Sequence, residues 1–328
     1  MEFRPFRVRL TTRFRGVTER SGVLIRGTDA QGDDAWGEFS PFPDYTPHQR
    51  GRWWNAAMQA AHGELPPPLR TSVETAAIIP ELDPEPAAAL ALQYGCRTAK
   101  VKVGGPRGTD PNPQATLRAD AARVEAVARA IGPGGRIRVD ANGAWTLADA
   151  VTAIAALDAA ARRGGIDGLE YVEQPCPTIA DLAAVRRHVD VRIAADESIR
   201  LSGDVAAVVD ADAADILVLK PSPLGGALAV VEMARLYGLP VVVSSAMESS
   251  VGLAMALSAA LALPVTTQAS TPASTRFSTQ TATPATTPAD PALAHGLGTG
   301  TLLATDTVVT TLLPVAGRLS PQPLRVCA

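Results

Sequence analysis

From Thr71 onward the chain repeats one unit: a short apolar run, a loop, then an Ala-rich amphipathic stretch. The runs are VETAAII, TAKVKV, RIRVDA, GLEYVEQ, VRIAADE, DILVLK and PVVVSSA, separated by stretches such as ATLRADAARVEAVARAI, TLADAVTAIAALDAAARR and IADLAAVRRHV. Strands that alternate with helices pair in parallel through right-handed crossovers, and both faces of the sheet are then covered. Seven such strands, with an eighth expected near GLGTGTLLA, favour a closed (β/α) barrel over an open sheet.

Residues 1–70 have a different texture. FRVRL, SGVLIRG and DAWGEFSP are short alternating strands with Gly-Asp turn material between them, as in an antiparallel sheet. HQRGRWWNAAMQAAHG reads as a helix stopped by Gly63 and the Pro66–Pro68 run. The expected fold class is therefore α/β, a barrel over residues 71–306 preceded by a smaller α+β module. Residues 265–290 are almost wholly Thr, Ser, Ala, Pro and Gln; they cannot pack a core and read as a flexible or irregular loop between strands seven and eight.

A chain of 328 residues is long enough for such a barrel and its partner, and 46% hydrophobic residues can fill both. A net charge of −3 offers no bulk attraction to nucleic acid or an anionic membrane, so neither is an expected partner. The N-terminus lacks the apolar core of a signal peptide, and no run of ~18 apolar residues predicts a membrane span. Cys96, Cys176 and Cys327 show no metal-type pairing, and four scattered histidines argue against a zinc centre. A cytoplasmic protein with a small-molecule ligand is expected; monomer or homo-oligomer stays open.

Chemistry concentrates at the strand ends. Asp140 in IRVDAN, Glu173 in LEYVEQP and Asp196 in VRIAADES each close an apolar run, 33 and 23 residues apart, about one strand-plus-helix unit each. In a barrel the C-terminal ends of the strands share one mouth, so three carboxylates converge there. Without a cation they would repel; Mg²⁺, with its preference for oxygen ligands, resolves the conflict, and Mn²⁺ can substitute. Lys100 and Lys102 lie at i and i+2 of one strand and so face the same side, while Lys220 ends ILVLK just before Pro221. Lysine beside a metal and other cations can act as a base near neutral pH. Asn142 shares a face with Asp140, and Gln174 is placed behind Glu173. In ADES, strand alternation puts Asp196 toward the site and Glu197 behind it. His188 and His295 bear no spacing relation to the set.

Taken in order, KVK, VDANGAW, EQP, ADES and LKP resemble the enolase superfamily, in its muconate-lactonizing-enzyme-like subgroup. WGEFSPFP (residues 36–43) and GCRTAKVKV (residues 95–103) are further similar to the o-succinylbenzoate synthases of menaquinone biosynthesis. The resemblance implies a capping domain, residues 1–70 completed by about 307–328 with the strand-like VVTTLLPV, over a barrel of residues 71–306. It implies Mg²⁺ on Asp140, Glu173 and Asp196, Lys102 as the base, Lys220 opposite as an enediolate-stabilising cation, and Lys100 in support. The implied reaction is a hydro-lyase dehydration to an aromatic product. The cap would set specificity through RFRGVTER, with Arg15 and Arg20, and through Pro41–Tyr45, with Ser244, Ser245 and Met247 on the far wall. An N-succinylamino acid racemase or dipeptide epimerase would use the same core motifs. A Schiff-base aldolase would leave three carboxylates without a task, and a non-catalytic barrel would leave both lysines without one.

Overall fold

The computed structural model describes residues 1–14, 16–105, 110–264 and 292–327. Strands β1 (Glu2–Phe14), β2 (Val17–Thr28) and β3 (Asp34–Phe39) form an antiparallel sheet in that order. Helix α1 (Pro47–Ala61) lies across it, started by a capping box in which Thr46 and Gln49 exchange hydrogen bonds. The helix comes so near the sheet that a Cβ on Gly37 would collide with the carbonyl of Ala57, which is why glycine stands there. The expected loop arginine Arg15 falls outside the described residues, as does the whole of 265–290.

The barrel begins at β4 (Val73–Glu74) and β5 (Ala77–Ile79), followed by α2 (Pro84–Leu92), β6 (Thr98–Lys102), α3 (Pro113–Ile131) and β7 (Arg136–Asp140). Next come α4 (Leu147–Arg163), β8 (Leu169–Glu173), α5 (Ile179–His188), β9 (Ile193–Ala195), α6 (Glu197–Arg200) and α7 (Val205–Asp210). The chain continues with β10 (Ile216–Leu219), α8 (Pro221–Leu224), α9 (Ala227–Tyr237), β11 (Val241–Val243), α10 (Ser250–Ala262) and β12 (Arg318–Leu319). The seven strands β5 to β11 are parallel neighbours in chain order. Outward residues such as Val101, Ile137, Val139 and Val172 meet Val127, Ile154, Leu157 and Leu182 of the helices, all buried. Each large aliphatic side chain buried there stabilises the fold by roughly 1.5–3 kcal/mol. Inside the barrel, Tyr171, Ala194, Ile216, Val218 and Val242 fill the space below the mouth.

The eighth position lies at the very start of GLGTGTLLA, and most of that run is not strand. The short segment His295–Gly296 closes the ring, bridging in parallel to Thr75 on one side and Ser244 on the other. His295 is buried and its Nδ1 faces the Val243 N–H at 3.1 Å; burial first, then the charge of Arg138, lowers its pKa to about 3. Gly298–Leu302 then winds into a 3₁₀ turn. A run with glycine at every second place has no side chains to clothe one face of a strand. VVTTLLPV is likewise not a strand: its paired residues put like side chains on opposite faces, and the C-terminal strand is instead β12, antiparallel to β4.

Two kinds of contact join the N-terminal sheet to the barrel. Leu10, Phe42, Tyr45 and Trp53 pack with Ile78, Ala246, Met247 and Leu302 in one apolar cluster. The C-terminal segment joins a second cluster, Val308 packing with Leu24 and Val251.

Candidate active site

Register sets the site. Lys102 of β6 pairs with Asp140 of β7, and Asp140 with Glu173 of β8, so the three stand side by side at the same height. Asp196 follows β9 directly and Lys220 follows β10. With eight positions around the ring, β6 and β10 lie four apart, so Lys102 and Lys220 face each other across the mouth with the acids along the arc between them. Ala99 and Val101 point to the helices, while Lys100 and Lys102 point inward.

The lysines divide the work. Lys100 Nζ lies 3.0 Å from Asp140 Oδ2 and 2.8 Å from Glu173 Oε1. Lys220 Nζ lies 2.6 Å from Asp196 Oδ2. Lys102 Nζ donates instead to carbonyl oxygens, Val103 at 2.7 Å and Asp140 at 3.5 Å. Burial opposes charge on Asp140, but Lys100, then Lys102 and Lys220, hold its carboxyl well below the usual range. Burial and then Asp140 push Glu173 the other way, up to about 8, against the pull of Lys100. Lys100, desolvated but set between Asp140 and Glu173, is held firmly protonated.

Among the described residues no three acid, thiol or imidazole groups are drawn into a ready-made metal shell. The donor set nevertheless fits a hard divalent cation. Glu173 Oε2 and Asp196 Oδ1 are buried without a hydrogen-bond donor, a costly condition for a carboxylate oxygen. All three residues offer carboxylate oxygen, the ligand Mg²⁺ prefers.

Neighbouring groups hold the acids in place. The Gln174 backbone takes a positive φ, and its Oε1 accepts the N–H groups of Asp196 (3.0 Å) and Ser198 (3.1 Å), fixing the turn after β9. Asn142, also at positive φ, donates its N–H to Asp140 Oδ1 at 3.0 Å and its Nδ2 to Glu197 Oε1 at 3.1 Å. Strand alternation therefore does not describe ADES: β9 ends at Ala195, the chain turns into α6, and Glu197 comes round to meet Asn142 and Arg200.

The far-wall residues are tied down. Ser244 Oγ donates to the Gly296 carbonyl at 3.2 Å, and Ser245 Oγ pairs with Thr299 Oγ1 at 2.5 Å. Met247 is buried at φ 63°. Arg20 is also buried: its guanidinium donates to the carbonyls of Met247 (3.1 Å) and Ser40 and lies 3.7 Å over the Phe42 ring, so it braces this wall.

Sequence reasoning passed over several groups. Arg123 of α3 donates to the Lys102 carbonyl at 2.9 Å and pairs with Asp120, which accepts the Gly104 N–H at 2.7 Å. A charged i, i+3 pair among Val and Ala on a core-facing helix side was the available signal. Arg200, four residues after Asp196, is buried against it. Glu38 of WGEFSP reaches the start of α10, its oxygens accepting Ser40 Oγ (2.6 Å), Ser249 N (3.1 Å), Ser249 Oγ (2.5 Å) and Gly252 N (3.0 Å). Glu248 nearby accepts Ser222 Oγ at 2.5 Å and Ala246 N at 2.6 Å.

Known proteins match both parts of the chain. The family description "Enolase N-terminal domain-like" matches residues 6–61, and "Enolase C-terminal domain-like" matches residues 84–306. The o-succinylbenzoate synthase of Thermobifida fusca is 50% identical over 254 residues, covering 77% of this chain and 74% of that protein. The o-succinylbenzoate synthase of Mycobacterium ulcerans is 42% identical over 322 residues, covering 97% of this chain and 82% of that one. Among solved structures, the L-Ala-D/L-Glu epimerase of Bacillus subtilis superposes with a TM-score of 0.73 at 22% identity, over 99% of this chain and 96% of its own. The Enterococcus faecalis dipeptide epimerase, solved with Mg and a dipeptide, gives 0.73 at 20% identity over 99% and 97%. At those identities the two structures speak for the fold alone.

Proposed function

The chain belongs to the o-succinylbenzoate synthase family of the enolase superfamily, and from this premise we propose the reaction its own residues perform. It dehydrates 2-succinyl-6-hydroxy-2,4-cyclohexadiene-1-carboxylate to o-succinylbenzoate, a hydro-lyase step of menaquinone biosynthesis in the cytoplasm. The observation that carries the reading is the placement of Lys102 and Lys220 on opposite sides of one mouth, with three buried carboxylates between them.

Asp140, Glu173 and Asp196 would hold Mg²⁺, or Mn²⁺ in its place, which when bound neutralises negative charge developing on the substrate carboxylate. Lys102, as the free amine, removes the ring proton next to that carboxylate, and the C–H electron pair moves into the carboxylate to give an enediolate. Lys220 stands across the mouth as a preplaced cation for that charge. Lys100, locked to Asp140 and Glu173, keeps the arc in register and helps receive the carboxylate. The pair then returns to form a ring double bond as the neighbouring C–O bond breaks. The proton on Lys102 leaves with the hydroxyl group as water. Ser244, Ser245 and Met247, braced by Arg20, would shape the wall that receives the succinyl arm.

Turnover of this cyclohexadiene with Mg²⁺, followed by absorbance of the aromatic product and repeated in EDTA, tests the reading. Metal-dependent product is the expected result. Folded, Mg²⁺-loaded protein that gives none, yet exchanges the α-proton of N-succinyl amino acids or dipeptides in D₂O, would replace it with a racemase or epimerase.

A further inference from the structure

We propose that Tyr45 and Arg200 are positioning residues, a strut through which the N-terminal module sets the orientation of Asp196. The inference rests on the function proposed above, in that it takes Asp196 as a metal ligand. Tyr45 lies in the loop between β3 and α1, outside the barrel; Arg200 ends α6, the short helix that Asp196 begins. Arg200 Nη1 donates to Tyr45 Oη at 2.7 Å, Nη2 to Glu197 Oε1 at 2.6 Å, and Nε to Asp196 Oδ2 at 3.4 Å, with Oδ1 3.3 Å away. Tyr45, Asp196, Glu197 and Arg200 are all at least nine-tenths buried, so these bonds form away from water, where geometry counts most.

The same module also holds the backbone of this turn. Gln49 of α1 donates to the Leu201 carbonyl at 2.7 Å, and Arg52 donates to the carbonyls of Arg200 (3.2 Å) and Pro223 (2.7 Å). The segments carrying Asp196 and Lys220 are thus gripped from the α1 side. The Tyr45 ring is itself fixed, edge-on to Trp53 at 5.6 Å. Tyr45 Oη accepts one guanidinium N–H and so directs the fork: two arms go to Tyr45 and Glu197, leaving Nε for Asp196. Without that acceptor the guanidinium is free to turn its stronger, paired N–H groups onto Asp196 and compete for the oxygen a cation needs. Partners of this kind behind a metal ligand typically alter metal affinity by about 10–100-fold.

The test is calorimetric titration of the whole protein with Mg²⁺ alone, well below its melting temperature, for the parent, Tyr45→Phe and Arg200→Met. Tyr45→Phe keeps the ring among its apolar neighbours and should fold. Expected is Mg²⁺ binding weakened by about tenfold in Tyr45→Phe, toward the lower end of that range. The Mg²⁺ concentration for half-maximal turnover should rise in parallel with the weakened binding. The effects of Tyr45→Phe and Arg200→Met should not add in the double variant. If Arg200→Met does not fold, Tyr45→Phe carries the test alone. Mg²⁺ binding within twofold of the parent, with only the melting temperature lowered, would overturn the strut and leave the proposed reaction standing. A parent that binds no Mg²⁺ would overturn both.

Discussion

Two groups of buried carboxylates, one where the N-terminal module meets α10 and one at the barrel mouth, are built in opposite ways. Glu38 is satisfied by four neutral donors, two hydroxyls and two backbone N–H groups, at the N-terminus of α10. Burial raises its pKa, with Ser249 and Ser40 working against the rise, and its place at a helix start is favourable for negative charge. At the mouth, Asp140, Glu173 and Asp196 lean on ammonium groups, and two of their oxygens accept no hydrogen bond. The first group is a joint that the fold completes by itself. The second leaves oxygens open for the cation that the proposed function requires. Hydrogen-bond saturation, rather than burial, separates Glu38 from the carboxylates at the mouth.

The largest effect should come from the mouth. Lys102→Ala and Lys220→Ala should each lower turnover by at least about 10³-fold, the usual scale for losing a base or a preplaced charge. Circular dichroism in Mg²⁺ should show both still folded; retained activity in either would collapse the contrast. Glu38→Gln should do the reverse. Its amide meets donors where an acceptor is needed, so urea unfolding should show a loss of about 1–3 kcal/mol. Turnover should change by less than about tenfold, or ~1.4 kcal/mol. Activity lost with stability intact would make Glu38 part of the site.

The smallest and sharpest effect concerns Glu173. Its carboxyl, raised from 4.5 to about 8 by burial and Asp140, keeps a proton in the folded protein that the unfolded chain has released. Stability contributed in this way falls as pH rises from 4.5 toward 8, by up to ~1.4 kcal/mol per pH unit. Glu173→Gln removes that slope, so in EDTA the variant should gain on the parent between pH 5.5 and 8. In Mg²⁺ the order should reverse. Equal slopes for both proteins in EDTA would show Glu173 to be as well accommodated as Glu38.

Much of the mouth was legible because a barrel repeats. A residue at the end of one parallel strand is level with those at the ends of its neighbours, so IRVD, YVE, IAAD and LVLK declare a shared site from spacing alone. The strand that departs from the repeat was legible in place but not in extent: closure passes through His295 and Gly296 at the edge of GLGTGTLLA, whose backbone pairs on both sides while their side chains carry no period. VVTTLLPV has the composition of a strand without its alternation, and it took the fold to show that β12 and not this run pairs with β4.

The sequence by itself determined the barrel, the three acids and the lysines on either side of them, because strand period and connection handedness are local rules that place residues without knowledge of distant partners. Only the tertiary structure decided that Lys100 meets two of those acids while Lys102 meets carbonyls, that Arg20 braces a wall, and that Arg200 joins Asp196 to Tyr45. The residues in these contacts stand far apart along the chain or on surfaces whose meeting no local pattern encodes. Which donor reaches which oxygen depends on ångström-scale packing between α1, α6 and the barrel ends.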